Sequence, residues 1–90
     1  MPNQRRHPRT PFKCRIKVSH PSFGDLIALT RDLSDGGVFI VHPRLVELSR
    51  GAVVRGQVQD LPIDAPVLLM RVVRHEEEGI GVMFLLDDQP

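Results

Sequence analysis

Short runs in which apolar and polar residues alternate recur along this 90-residue sequence. The clearest covers residues 12–18, where apolar side chains at every second position alternate with Lys13, Arg15 and Lys17. Strict alternation predicts a β-strand with one face buried and the other solvated. The single cysteine, Cys14, belongs to the apolar set, so we expect a core residue and not a reactive thiol.

Five further strands are predicted from apolar runs bounded by glycine, proline and acidic residues. They cover residues 26–31, 38–41, 52–58, 67–74 and 80–84. Pro62 and Pro66 keep the connection between the fourth and fifth strands out of a hydrogen-bonded ladder. Residues 42–51 are expected to form an irregular connection with at most one helical turn. Six short strands without a convincing amphipathic helix predict a small six-stranded antiparallel β-barrel.

The length of the chain is that of one domain. We expect a basic N-terminal arm at residues 1–11, the barrel at residues 12–86 and a polar tail at residues 87–90. Three prolines in the arm prevent a regular helix. The arm also has too little apolar content to pack by itself, so we expect it to be flexible.

The formal net charge of +1 conceals an asymmetry between the two ends. The first 24 residues carry six lysines and arginines and no acid, whereas five acids and no further lysine or arginine follow Arg74. A basic N-terminal segment indicates an anionic partner. Lys13, Arg15 and Lys17 are interpreted as a solvated strand face because they alternate with the apolar set, but Arg5 and Arg9 lie outside any periodic pattern.

Several classes of protein have no support in the sequence. No apolar run approaches the roughly 18 residues of a membrane span, and the basic start is not followed by the apolar region of a secretory signal, so we expect a cytoplasmic protein. The four histidines lack zinc-ligand spacing with each other or with Cys14. Neither a nucleophile with its base nor a glycine-rich nucleotide motif is present. We therefore expect no metal, no cofactor and no enzymatic activity.

Residues 32–37 hold the most distinctive polar cluster. If this segment is extended, Asp32 and Ser34 point to the same side, while Gly36 and Gly37 permit a turn with positive φ and a close approach of the backbone to a ligand. Taken alone, the segment could be a hairpin loop whose polar side chains bond to their own backbone. A second cluster in the arm would complete a site for a polar planar ligand. Its members are Arg5, Arg6 and Arg9.

The two clusters resemble the paired signatures of the PilZ domain family. These signatures are an Arg-x-x-x-Arg motif beginning at Arg5, an Asp-x-Ser-x-x-Gly motif beginning at Asp32, and a closing strand at residues 79–84. The resemblance implies a six-stranded barrel and a bacterial receptor for the second messenger cyclic di-GMP. Many members continue into a C-terminal helix, whereas this sequence ends after its last predicted strand. The family's ligand-binding roles fall on Arg5, Arg9, Asp32, Ser34 and Gly37.

The chemistry of these residues suits that ligand, which presents two phosphates and two guanines. Arginine binds phosphate and the acceptor edge of guanine with the same planar fork, and it can stack on a purine. An ionised Asp32 accepts from N1–H and N2–H₂ of guanine, a pair of donors that adenine lacks, and Ser34 can bond to a phosphate or ribose oxygen. Arg6 is a further candidate for a phosphate contact. Arg74, near the end of the fifth strand, is a candidate for stacking on a base.

Three functions remain open. A cyclic di-GMP receptor would transmit the signal when ligand orders the arm and brings Arg5 and Arg9 to the Asp32 cluster, with a protein partner of unknown identity downstream. A nucleotide-free adaptor of the same fold would dock on protein partners. A barrel that binds single-stranded nucleic acid has less support because most of the four phenylalanines are expected to face inward, which leaves no aromatic stacking platform.

Overall fold

A computed structural model describes residues 10–34 and 36–85 of the chain. The segments 1–9 and 86–90 and the residue Asp35 lie outside the described residues. They include Arg5, Arg6, Arg9 and the whole of the predicted tail. The elements are seven strands and one short 3₁₀ helix. In chain order they are β1 (Thr10–Pro11), β2 (Arg15–His20), β3 (Gly24–Ser34), β4 (Gly37–Val41), the 3₁₀ helix (Pro43–Glu47), β5 (Val53–Val58), β6 (Leu68–Glu76) and β7 (Gly79–Phe84).

Six of the strands form a closed antiparallel barrel, as the sequence predicts. Their order around the barrel is β3-β2-β5-β6-β7-β4, and pairing of β3 with β4 closes the ring. The 11 residues of β3 make this closure possible, because the strand pairs with β2 through its first half and with β4 through its second half. The short strand β1 is an addition that pairs with the end of β3 at Asp32 and Leu33.

The barrel is filled by side chains from alternate positions of its strands. On β2 these are Ile16 and Val18, the two positions that alternation predicts to be buried in the second half of residues 12–18. Leu45 and Leu48, from the 3₁₀ helix and its C-terminal cap, join the same cluster, so the connection after β4 contributes to the core. Thr30 is the one buried polar residue found among the described positions, and its hydroxyl accepts from the Cys14 amide at 2.9 Å and donates to the Phe12 carbonyl.

Two of the predicted core positions lie near the surface. Phe12 is 36% exposed and Cys14 is half-buried, because β2 begins only at Arg15 and the residues before it cross from β1 to β2. The backbone of this crossing is tied to β3 through Thr30, whose amide also donates to the Cys14 carbonyl. Of the alternating residues 12–18, only those from Arg15 onward therefore lie in a strand.

The strand boundaries also differ from prediction at the polar cluster. The predicted second strand ends at Arg31, but β3 continues to Ser34, so Asp32 and Ser34 lie in a strand and not in a turn. Thr10 and Pro11, predicted to belong to the arm, form β1 beside them. Pairing on both sides fixes the backbone of Asp32, which lies opposite Pro11 on β1 and Phe39 on β4.

Gly79 marks a place where two strands approach too closely for any side chain. A Cβ atom at this position would overlap the carbonyl oxygen of Ile40 and lie 2.8 Å from the Cα atom of Val41, both on β4. In contrast, a Cβ atom at Gly81 in the same strand would meet only the side chain of Arg74, at 3.3 Å or more. The clash at Gly79 is with paired backbone, which cannot move away. The contact at Gly81 is with the end of a side chain, which can move.

We predict that Gly79→Ala lowers the free energy of unfolding by at least about 1–3 kcal/mol, because overpacking against backbone forces β4 and β7 apart. Urea unfolding followed by circular dichroism measures the change. Gly81→Ala is the matched control, and its unfolding free energy should stay within about 1 kcal/mol of the wild-type value. Equal losses in the two variants would contradict this assignment of the close strand contact.

Candidate functional site

A row of paired residues crosses four strands on the outer surface of the barrel. Asp32 on β3 lies opposite Phe39 on β4, Phe39 lies opposite Gly81 on β7, and Gly81 lies opposite Arg74 on β6. The closed sheet thus brings together two predicted site residues, Asp32 and Arg74, that are far apart in the sequence. Phe39 and Gly81 form the floor between them.

A β-bulge stands at each end of this row. The register of β3 against β4 shifts between Thr30 and Asp32, which leaves Arg31 as the extra residue. The register of β6 against β7 shifts between Val72 and Arg74, which leaves Val73 as the extra residue. A bulge breaks the alternation of side chains between the two faces. Arg31 and Asp32 are both partly exposed after the buried Thr30, so they lie side by side on the outer surface.

An open cleft of about 230 Å³ follows the row. Its lining includes every predicted site residue that the structure describes, which are Asp32, Ser34, Gly36, Gly37 and Arg74. Val73 and Met83 add apolar surface and are 39% and 42% exposed. The remaining three predicted residues, Arg5, Arg6 and Arg9, are outside the described residues. The roles of all eight in ligand binding remain predictions.

The two glycines of the cluster differ in their surroundings. Gly37 does not have a positive φ, so no left-handed turn is present at that glycine. At Gly37 a Cβ atom would overlap the carbonyl oxygen of Val82, which shows that β4 and β7 require glycine there for their own packing. At Gly36 no atom lies within 4 Å of the Cβ position, and the carbonyl accepts from the Phe84 amide at 2.8 Å. Of these two glycines, Gly36 is the one with open space beside its backbone.

Phe39 faces outward, and so is an exception to the expectation that most of the four phenylalanines face inward. It is only 2% exposed, yet it is absent from the core cluster that its neighbours Val38 and Ile40 join. Two guanidinium groups cover its ring, with Cζ of Arg31 at 3.9 Å and Cζ of Arg74 at 5.4 Å from the ring centroid. These distances are those of cation–π contacts. The outer surface therefore carries a buried aromatic ring under two arginines.

Acidic side chains connect the two arginines to each other and to Asp32. Nε of Arg31 donates to Oδ2 of Asp32 at 3.0 Å, and Nη1 donates to Oε2 of Glu78 at 2.6 Å. Glu76 bridges the pair, with Oε1 lying 3.5 Å from Nη1 of Arg31 and Oε2 accepting from Nε of Arg74 at 3.1 Å. The hydrogen bonds to Asp32 and Glu78 raise the pKa of Arg31, which therefore stays cationic.

Sequence reasoning missed Arg31 and Phe39 as parts of the site. Arg31 directly precedes Asp32, and in a regular strand adjacent side chains point to opposite faces. The residue pattern does not predict the bulge that places both on one face. Phe39 lies in an apolar run whose members do not alternate with polar residues, so its outward orientation is hidden. The only sequence feature that hints at an outward-facing Phe39 is Gly81. A glycine there leaves room for the side chain of Arg74, which covers the Phe39 ring.

Residues 10–34 and 36–85 contain no group of three or more histidine, cysteine, aspartate or glutamate side chains placed to hold a metal ion. They also contain no helix with the length and apolar character needed to cross a membrane.

The fold and cleft define a small antiparallel barrel of a ligand-binding type, with polar side chains gathered on its outer surface. The family model described as PilZ domain matches residues 3–90, which is nearly the whole chain. The protein belongs to the PilZ domain family, the family of cyclic di-GMP receptors, and the resemblance inferred from the sequence motifs is confirmed. This is a family of binding and adaptor domains and not of enzymes. No curated protein matches the chain.

We predict that Phe39→Leu lowers the free energy of unfolding by about 1–2 kcal/mol, because leucine keeps an apolar cover but loses the ring face under the arginines. The Nε–H proton of Arg31 should also lose a ring-current shift in the NMR spectrum. Phe12→Leu, at an exposed position away from the cleft, is the control and should change stability by about 0.5 kcal/mol or less. An unchanged Arg31 signal in Phe39→Leu would show that the two groups do not stack.

Proposed function

We propose that this protein is a bacterial cyclic di-GMP receptor and that the messenger binds in the cleft along the Asp32 to Arg74 row. One observation carries the proposal. In a chain that belongs to a family of cyclic di-GMP receptors, the five described residues that the sequence assigns to the ligand all line one cleft. Four of them lie on strands β3, β4 and β6, Gly36 lies in the turn between β3 and β4, and the closed barrel brings these elements together.

Asp32 supplies the means to recognise guanine. Its side chain is 20% exposed, and among the described contacts its carboxylate accepts only from Arg31, at Oδ2. A carboxylate has about four lone-pair positions, so acceptor capacity is left for N1–H and N2–H₂ of a guanine in the cleft. Adenine lacks this pair of donors, so a contact of this kind favours cyclic di-GMP over cyclic di-AMP.

Arg74 supplies a surface for stacking. Its guanidinium lies across Gly81, with Cζ and Nη1 both 3.3 Å from the position that a Cβ atom would occupy. Nε is held by Glu76 at 3.1 Å, and the side chain is 40% exposed. A planar cation that is fixed on one side and open on the other can stack on a purine. Val73 and Met83 offer adjoining apolar surface for the ribose or the base edge.

The N-terminal arm supplies the remaining cations in this proposal. The described chain begins at Thr10, which pairs with Leu33 next to Asp32, so the covalent chain leads directly to this side of the barrel. The four residue-to-residue steps from Arg5 to Arg9 span at most about 14 Å when extended, which keeps both arginines within reach of the same region. A cleft of about 230 Å³ is smaller than the roughly 300–1,000 Å³ of typical ligand pockets, so the described residues supply one wall of a larger site.

Ligand binding orders the arm in the proposed mechanism, with Arg5 and Arg9 closing over the messenger and Arg6 contacting phosphate. Ordering each residue costs on the order of 1–2 kcal/mol, so the affinity is lower than the number of contacts suggests. Part of this cost is offset because the negative phosphates relieve the electrostatic repulsion among the arginines of the arm. The closed arm presents a new surface to a protein partner in the cytoplasm, and this change transmits the signal.

We predict that Arg5→Ala and Arg9→Ala each weaken cyclic di-GMP binding about thirty-fold or more while leaving the unfolding midpoint unchanged. Each variant loses a charge-assisted contact worth about 2–3 kcal/mol. Isothermal titration calorimetry measures the affinity. Arg50→Ala removes an exposed arginine that does not line the cleft and is the matched control. Wild-type affinity in both arm variants would refute the proposed site, and no binding by the wild-type protein would favour the nucleotide-free adaptor.

We predict that cyclic di-GMP slows backbone amide exchange of residues 4–9, apart from Pro8, at least about tenfold, because ordering of the arm removes its amides from free contact with solvent. Hydrogen exchange read by NMR, with and without ligand, measures this. The amide of Val54, at a buried position on β5 away from the cleft, serves as the reference and should change little. Slow exchange of the arm in the free protein would mean that the site is preformed, and the ordering mechanism would be wrong.

A further inference from the structure

Arg31 is held from three directions although it is not part of the sequence signature. Its guanidinium carbon lies 3.9 Å from the centroid of the Phe39 ring. Nε donates to Asp32 at 3.0 Å and Nη1 donates to Glu78 at 2.6 Å, so opposite ends of one rigid fork are occupied. The side chain is only 31% exposed. An arginine fixed in this way is part of a built arrangement and not a solvated surface cation.

The bulge in β3 makes the contact between Arg31 and Asp32 possible. Without the extra residue, Asp32 and its neighbour would face opposite sides of the sheet. With it, both side chains lie on the outer surface opposite Phe39. The direct result is a hydrogen bond from Arg31 to one oxygen of the carboxylate that lines the cleft.

This hydrogen bond restricts the orientation of the Asp32 carboxylate. The terminal torsion of aspartate is broad, so an unrestrained carboxylate samples many planes. Holding Oδ2 selects one plane before ligand arrives, while Oδ1 and the second lone pair of Oδ2 stay available. A ligand that needs two adjacent acceptors gains from this preorganisation because the ordering cost is already met.

We propose that Arg31 is a positioning residue for guanine recognition, and that Glu78 controls it from outside the cleft. Glu78 lies in the turn between β6 and β7 and is absent from the cleft lining, and its side chain is 53% exposed. By holding the far end of the guanidinium, Glu78 keeps Nε directed at Asp32. The inference deepens the proposed function and rests on it, since it requires that guanine meets Asp32.

For Glu78→Gln, the loss of a negative charge and the loss of the anchor for Arg31 predict changes in ligand affinity of opposite sign. Arg31 and Arg74 face three carboxylates, those of Asp32, Glu76 and Glu78, and the messenger is itself anionic. Glu78→Gln removes a negative charge near the cleft, so simple electrostatics predicts tighter binding of an anion. Loss of the anchor for Arg31 predicts weaker binding. The sign of the change therefore distinguishes the two explanations.

The test measures the affinities of wild type, Arg31→Lys, Glu78→Gln and Glu77→Gln for cyclic di-GMP and cyclic di-AMP by titration calorimetry at fixed salt. Lysine keeps the charge of Arg31 but has a single ammonium group, which cannot hold Asp32 and Glu78 at opposite ends of a planar fork. Glu77→Gln makes the same charge change in the same turn, at a side chain that makes none of the contacts described for Arg31. Binding preference between the two messengers is the readout that a purely structural effect would not change.

We expect Arg31→Lys and Glu78→Gln each to lose about threefold to tenfold in affinity for cyclic di-GMP and to show a reduced preference over cyclic di-AMP. Glu77→Gln should bind at least as well as wild type. Adding Arg31→Lys to Asp32→Ala should cause little further loss, since the two residues act through one contact.

Three results would overturn the inference alone, provided that the wild-type protein binds cyclic di-GMP. The first is wild-type affinity in both Arg31→Lys and Glu78→Gln. The second is tighter binding by Glu78→Gln, matching Glu77→Gln, and the third is an equal loss for the two messengers. Absence of binding by the wild-type protein would instead refute the proposed function on which the inference rests. Glu78 is exposed, so its variant should fold normally, and the unfolding midpoint checks this.

Discussion

The structure of the candidate site depends on the register with which β3 closes the barrel against β4. One extra residue before Asp32 places that carboxylate opposite Phe39, and the pairing of Phe39 with Gly81 extends the row to Arg74. A shift of one residue in this register would turn Asp32 to the other face of the sheet. The same pairings that bury the core therefore also fix the distances between the polar groups in the cleft.

The outer surface of the barrel carries an electrostatic layer that is organised around Phe39. A nearly buried ring on the outside of a small barrel needs cover, and the stems and guanidiniums of Arg31 and Arg74 provide it. Glu76 and Glu78 then hold these cations in place. Exposed ion pairs contribute little singly, but a shared aromatic base and bridging carboxylates restrict both arginines at once. The result is a cleft whose charged groups are held by one another and by the Phe39 ring.

The sequence predicted the barrel and much of the site because both follow from short-range patterns. Alternation located Ile16 and Val18 in the core, and the Asp-x-Ser-x-x-Gly motif marked residues that do gather around one cleft. It could not predict the bulges, because Arg31 and Val73 become extra residues only when two distant strands are paired. For the same reason the motif alone did not reveal that β7 approaches closely at Gly37, a contact that exists only when β4 and β7 are paired. Phe12 was wrongly predicted to lie in the core because local alternation does not reveal at which residue a strand begins to pair.

Binding of cyclic di-GMP on the row from Asp32 to Arg74 is tested most directly by an NMR titration of the ¹⁵N-labelled protein. We expect chemical-shift changes to concentrate at Asp32, Ser34, Gly36 and Arg74, with smaller changes on the opposite side of the barrel at Lys17 and Arg55. Shift changes centred on β2 and β5, with the Asp32 and Arg74 signals unmoved at saturation, would contradict it.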